Sequence, residues 1–327
     1  MEYTKEIKES IMMNRKTLQI DHLKSIKLIS LGTGENNLNI LAIINNTHKF
    51  VYRIGLRSAL EKNMEKEFLS MKILPKNIGP IPIMLDMSKK IIPKVYSVQS
   101  YIEGKHLRRL NNVQLRLHVK KMAQLHKRKY PYWGTVVKKY YPKTKPYSQY
   151  RFLLAEHKDW VKHDPKLLKD KYVKKYYPII KKYIRKNDFL FKNLREFHIV
   201  NKDLCLTNMI FSKNNLQYID WEWQCFGDNA VDLALLFNEH YDILPWKIKM
   251  DAKLQDWYTD EYLKYVHDPT LKQRVKVLAE YYKFLDYVFF LWKKYDSIKT
   301  SLDNKIYLRD LLLQRKSLEK TLLKQQI

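Results

Sequence analysis

Between Ile199 and Glu239 the chain reads IVNKDLCLTNMIFSKNNLQYIDWEWQCFGDNAVDLALLFNE, which sets Asp203, Asn208 and Asp220 into one short stretch. Asp203 follows the apolar pair Ile199 and Val200, where a strand spills into a loop and a carboxylate can face a cleft. Met209 to Phe211 and Leu216 to Ile219 read as two short strands around the turn Lys213-Asn214-Asn215. That hairpin is expected to bring Asn208 close to Asp220. A carboxylate that can take a proton from a hydroxyl, beside two oxygen donors that can hold a divalent ion, is the equipment of phosphoryl transfer. Asp203 suits the first role, Asn208 and Asp220 the second. Asp and Asn are also common turn residues, so the compound pattern carries the reading and no single residue does.

The stretch resembles the choline/ethanolamine kinase family, part of the aminoglycoside phosphotransferase-like branch of the protein-kinase fold, and especially its bacterial choline kinases. In that family the block runs roughly H-N-D-L-x-x-x-N-I-L, then I-D-W/F-E-Y, then D-L/I-A-x-x-F-x-E. The resemblance implies Asp203 as catalytic base and Asn208 and Asp220 as magnesium ligands, with Glu222 and Trp223 after the I-D-W core. Asp232, Leu233, Ala234, Phe237 and Glu239 complete the last block. Asn201 and Lys202 depart from the family's His-Asn before the base.

The elements that would hold these residues follow from periodicity. Residues 1–22 suggest a lead-in helix, and Ser25 to Leu31, Asn39 to Ile44 and Phe50 to Ile54 read as strands. Gly32 and Gly34, in LGTGENN between the first two, could bring backbone amides near phosphates or simply make a hairpin turn. Arg53 ends the third strand in VYRIG, where the resembling family has arginine. Leu60, Met64, Glu67, Met71 and Leu74 recur at helical spacing, which puts Glu67 on the apolar stripe. A buried carboxylate needs a partner, and Arg53 with Glu67 matches the Lys–Glu pair of kinases; Glu61 or Glu65 takes its place if the helix is rotated by a residue. Pro80 to Met87 and Val95 to Ile102 are the next strands. The second ends in YIEGK, like the family's hinge, where backbone groups about Gln99, Tyr101 and Ile102 would meet the adenine.

Val113 to Lys127 reads as an amphipathic helix whose His126 is expected to be structural. Helical stretches at Arg151 to Lys162 and Lys171 to Lys186 come next, in a segment broken at Pro131, Pro142, Pro146, Pro165 and Pro178. Further on, FFLWKKY from Phe289 to Tyr295 resembles the choline kinase helix F-L-W-x-L-W. The resemblance implies that Trp292 and Tyr295, with Trp223 and Glu239, wall an ammonium pocket; an aromatic core stripe is the plain alternative.

At 327 residues the chain exceeds one small core. The expected fold class is α+β, a two-lobed kinase-like architecture: a nucleotide-binding lobe of small antiparallel sheet and one helix over residues 1–103, and a mainly helical catalytic and substrate lobe over 104–327. A basic, tyrosine-rich insertion spans 127–195, with 21 basic and 5 acidic residues in a chain of net charge +28. Solvated lysine faces are its simplest reading, and no nucleic acid partner is expected. No apolar run reaches about eighteen residues and the N-terminus lacks an apolar leader core, so a cytoplasmic protein is expected. Cys205 and Cys225 lack metal-ligand spacing. The expected partners are ATP with Mg2+ and a small hydroxylated acceptor, choline or ethanolamine foremost; a sugar, thiamine or an aminoglycoside is the alternative acceptor, and a scaffold binding nucleic acid or anionic lipid the alternative outside enzymes.

Overall fold

The computed structural model describes residues 2–33, 36–57, 61–238, 248–296 and 304–322. The chain divides into two units, one of Met1–His106, Thr135–Val137 and Asn208–Cys225, the other of Leu107–Gly134, Lys138–Thr207 and Phe226–Ile327.

The first unit is built on an antiparallel five-stranded sheet. Helix α1 (Thr4–Met13) leads into β1 (Ile26–Thr33), β2 (Asn37–Ile44) and β3 (His48–Gly55); α2 (Glu61–Lys72), β4 (Pro82–Asp86) and β5 (Tyr96–Ser100) come after, in the sheet order β1-β2-β3-β5-β4. Alternation along the strands sorts side chains between two faces. Ile40, Ala42, Tyr52, Ile54, Tyr96 and Val98 lie on one face and pack with Ile7 and Ile11 of α1. The Tyr52 and Tyr96 rings stack there at 5.9 Å, with Ser10 Oγ 2.9 Å from the Tyr96 hydroxyl. The opposite face carries Arg53 and, by register, Ser97 beside it and Gln99 beside Val51. The lead-in helix is thus a second helix of this unit, shorter than residues 1–22 suggested. Asn45 and Asn46, both left-handed, close the β2–β3 hairpin as expected of an Asn-rich turn.

The second unit is mostly helical. It holds α3 (Asn112–His126), the short strands β6 (Trp133–Gly134) and β7 (Lys139–Tyr140), α4 (Gln149–His163), α5 (Lys171–Asn187), α6 (Phe189–Lys192) and β8 (His198–Val200). The hairpin β9 (Met209–Ser212) and β10 (Asn215–Tyr218) then belongs to the first unit. It is tied there by the Tyr218 N–H, which donates to Ile78 C=O at 2.7 Å, and by two bonds between Lys105 and Phe211. Gly104 makes that approach possible: its φ is +152°, and a Cβ would stand 2.5 Å from Phe211 O. Strand β11 (Cys225–Gly227) joins β7, β6 and β8 in a small sheet, and α7 (Ala230–Leu236), α8 (Ala252–Leu263), α9 (Leu271–Asp296) and α10 (Asn304–Leu322) complete the chain.

One expectation fails in the basic segment. Pro178 does not break a helix; α5 runs through it from Lys171 to Asn187. A proline inside a helix costs roughly 3 kcal/mol. Capping of the Tyr172 and Val173 N–H groups by Asp170, and burial of Tyr172, Val173, Tyr176, Ile180 and Ile184 along one face, offset it. Cys205 is buried, but Cys225 is only half-buried; neither forms a disulfide among the described residues. Among the described residues no helix is long and apolar enough to cross a membrane.

Candidate active site

In the first unit the end of β3 presents Arg53 to α2, where Met64, Glu67, Phe68 and Met71 form the buried stripe. Arg53 Nη2 lies 3.1 Å from Glu67 Oε2, with both side chains buried. The rotated alternatives are excluded by position: Glu65 is exposed and Glu61 pairs with Lys89 at 2.6 Å. The second Glu67 oxygen accepts the Trp221 N–H at 3.2 Å, and Arg53 Nη2 stands 3.8 Å from Asp220 Oδ1. Asp220 itself has a left-handed backbone, φ 63°, and its side chain is one-third exposed, at 34%. The Ile219 N–H donates to Asn208 C=O at 2.9 Å, so the hairpin closes Asn208 onto the residue before Asp220.

The charge of this cluster is one-sided. Burial works against the Arg53 guanidinium, yet Glu67, Asp220 and Glu222 outweigh it and hold its pKa up. Burial pushes the Glu67 carboxyl up, but the guanidinium keeps its proton and two N–H groups donate to Glu67, so the pair is ionised. At Glu222 burial, then Asp220 and Glu67, outweigh Arg53 and the Asn36 amide and push it up to about 7. Asn36 Nδ2 donates to Glu222 Oε2 at 3.4 Å, and Lys66 Nζ to the Glu222 carbonyl at 3.2 Å. A narrow cleft opens beside them, lined by Asn36, Asn37, Arg57, Met64, Glu67 and Glu222 among others. Three carboxylates about one guanidinium make a place where added positive charge is stabilised.

In the second unit Asp203 sits in the loop after β8, half-buried. Its N–H donates to Asn201 Oδ1 at 2.8 Å. The loop is gripped by Asp232, which accepts the Asn201 N–H at 3.0 Å, the Lys202 N–H at 2.8 Å and His126 Nε2 at 3.0 Å. Lys202 adopts φ 70°, a conformation that a lysine holds only when its surroundings impose it. His126, fully buried, also meets the Tyr262 hydroxyl at 2.8 Å, which in turn accepts from Asn229 Nδ2 at 3.0 Å. With Nε2 donating to the carboxylate and Nδ1 accepting the phenol proton, the imidazole is satisfied on both sides. His126 is therefore structural, as expected. Asn201, which stands where the resembling family has histidine, caps the loop through its own side chain. Asp232 was legible only as part of a block of letters; its partners lie 30, 31 and 106 residues away, so no local signal announces its grip.

The remaining expected positions are dispersed. Gln99 and Ile102 are buried and Tyr101 half-buried in the first unit, where the Tyr101 N–H donates to Lys49 C=O at 3.2 Å. Trp223, in the same unit, is 56% exposed. Trp292 and Tyr295 are half-buried on α9 of the second unit. Lys293 Nζ stands 5.4 Å from the Trp292 ring centroid and 5.6 Å from that of Phe289. Burial, with Asp170 nearby, raises the Tyr295 phenol. Gly34 and Glu239 lie outside the described residues. The structure thus gathers Arg53, Glu67, Asn208 and Asp220 in one unit and the Asp203 loop with its supports in the other.

Comparison with curated proteins finds no match to the chain. Among solved structures it is similar to a putative aminoglycoside phosphotransferase from Ralstonia eutropha JMP134, at 12% identity over 97% of this chain and 96% of that one, with a TM-score of 0.65. The streptomycin–ATP ternary complex of APH(2'')-IIa aligns at 14% identity over 94% and 95% of the two chains, TM-score 0.58. The GDP complex of aminoglycoside 2'-phosphotransferase-IIIa aligns at 14% over 95% and 98%, TM-score 0.59. At such identities these likenesses establish the kinase-like fold, mixed α+β with an antiparallel sheet unit and a helical one. The model of the phosphotransferase enzyme family matches residues 27–267, well over half of the chain, and takes in Arg53, Glu67, Asp203, Asn208 and Asp220. The chain belongs to that family of phosphotransferases.

Proposed function

We propose that the chain is an ATP-dependent kinase that moves the terminal phosphate of ATP to the hydroxyl of choline, ethanolamine or a close amino alcohol. The observation that supports it is the span of Glu67: one carboxylate joins Arg53, at the end of a strand, to the backbone beside Asp220. Arg53 is then the residue to face the phosphates, backbone groups from Gln99 to Ile102 those to meet the base, and Gly34 the glycine proposed to donate to the phosphate tail. Asp203 orients the acceptor hydroxyl and takes its proton.

Asn208 and Asp220 fit a hard divalent cation. They bring two oxygen donors, and among the described residues no group of three or more His, Cys, Asp or Glu side chains gathers to cage a metal. A small cation that keeps phosphate and water ligands, as Mg2+ does, suits a site of that size. When bound, such an ion neutralises charge on the phosphate oxygens.

For the acceptor, the support comes from α9. Lys293 lays an alkylammonium against Trp292 and Phe289, and a quaternary ammonium ligand would use the same kind of contact. Tyr295, half-buried on the same helix, is proposed to meet the ammonium with Trp292. Charges beyond about 8 Å are largely screened at physiological salt, so of the net +28 only near cations oppose a cationic acceptor, and Lys293, 5.4 Å from the Trp292 ring, must turn away to admit it. An aminoglycoside is the second reading, favoured by the solved structures that carry streptomycin and gentamicin. The purified protein with Mg-ATP and a panel of amino alcohols, sugars and aminoglycosides, followed by ADP release, separates the two. Trp292→Ala is expected to raise the KM for choline about thirtyfold, the equivalent of about 2 kcal/mol. Turnover of aminoglycosides alone would replace the acceptor, and no turnover with any hydroxyl compound would end the kinase reading.

A further inference from the structure

Helix α5 has one face that makes no ion pair among the described residues. No acidic residue occurs between Lys171 and Asn187. Its buried face carries Tyr172, Val173, Tyr176, Ile180 and Ile184, so Lys171, Lys174, Lys175, Lys182, Arg185 and Lys186 all stand exposed on the other side. At 1.5 Å per residue they cover a stripe roughly 22 Å long. Among the described residues none of these six, nor half-buried Lys181, makes an ion pair, whereas exposed lysines elsewhere do: Lys272 with Asp260 at 2.6 Å and Lys129 with Glu196 at 2.6 Å. The acids that bound α5 are turned to other work. Asp170 accepts the Tyr172 and Val173 N–H groups, and buried Asp188 accepts from Ser148 Oγ and the Tyr150 N–H.

An aromatic ring stands at the C-terminal end of the stripe. Asp188 keeps a right-handed helical backbone, φ −63° and ψ −19°, so Phe189 comes three residues after Lys186 on the same helical phase. Phe189 is 59% exposed. A row of cations ending in an exposed aromatic ring suits a lipid surface, where lysines meet anionic headgroups and the ring enters the acyl boundary. Single-stranded nucleic acid would need several rings along the cationic face for base stacking, whereas Tyr172 and Tyr176 are buried beneath it and Phe189 stands at its end alone of the three. We propose that the outer face of α5, with Phe189, docks the protein on an anionic phospholipid membrane.

Co-sedimentation with vesicles of phosphatidylglycerol and phosphatidylcholine tests this, against vesicles of phosphatidylcholine alone. Native protein is expected to bind only the anionic vesicles and to be released by salt. The triple variant Lys174→Glu, Lys182→Glu, Lys186→Glu is expected to lose at least about a hundredfold in partition, at about fivefold per charge. Phe189→Ala is expected to lose severalfold. A control with the same net charge, Lys16→Glu, Lys62→Glu, Lys276→Glu, alters exposed lysines elsewhere and is expected to bind like native protein. All these positions are exposed, and thermal melts confirm that each variant folds. Equal loss in both triple variants would reduce the effect to net charge and overturn the proposal. So would absence of binding to anionic vesicles, or α5-dependent binding to duplex or single-stranded nucleic acid tighter than to vesicles. Phosphate transfer in vesicle-free solution is expected to be the same in the α5 variants as in native protein, so the docking surface and the kinase reading fail separately.

Discussion

The Arg53 cluster of the first unit and the Asp203 loop of the second use carboxylates in opposite ways. Around Arg53 three carboxylates share one guanidinium, and Glu222 is pushed up to about 7 because burial and the two neighbouring carboxylates outweigh it. Around Asp203 one carboxylate, Asp232, is filled by two backbone N–H groups and an imidazole. The first arrangement is left electrically incomplete and gains from a charged ligand. The second is complete and spends its bonds on holding backbone in a shape it would not otherwise keep. The first network is built on three carboxylates, the second on one.

Substitutions can break this contrast. Asp203→Asn removes the proposed proton acceptor while leaving its N–H bond to Asn201; turnover is expected to fall about a thousandfold with the Kd for ATP nearly unchanged, checked by single-turnover kinetics and calorimetry. Asp232→Ala strands three donors at once and is expected to cost about 3 kcal/mol in urea unfolding as well as turnover. Acid should act on the second unit in a defined window. Burial lowers His118 to about 3, and burial with His126 alongside lowers His198 to about 4. Both stay neutral in the folded chain while the unfolded chain takes up protons below about 6.5. Stability is therefore full above that pH and falls toward pH 4, by about 1.4 kcal/mol per pH unit for each histidine; His118→Gln should halve the slope measured by denaturant titration. Glu67→Gln weakens a charge-assisted pair worth about 1.5–3 kcal/mol. It is expected to raise the KM for ATP about tenfold with a smaller change in kcat. A loss of stability without a change in KM would put Glu67 with the holding network instead.

Much of the fold was legible because period and turn chemistry are local. The hairpin from Met209 to Tyr218, the Asn45-Asn46 turn and the three strands of β1 to β3 follow directly from alternation and turn residues. Glu67 was legible for a subtler reason: a carboxylate on an apolar stripe must find a cation, and Arg53 ended the neighbouring strand. Pro178 misled because a local rule met a strongly buried helix face. Asp232 was legible as a letter of its block, but the filling of its lone pairs was not, since His126 stands 106 residues away.

By itself the sequence determined the pairing of types: strand, turn, strand, and the acidic and amide side chains spaced for a phosphate chemistry. Only the tertiary structure decided which of those side chains share a network, that the hairpin joins the sheet unit, and that six basic side chains of α5 stand exposed with no ion pair among the described residues. Local order depends on neighbours a few residues apart, whereas charge balance depends on distance in space, and folding alone sets that distance.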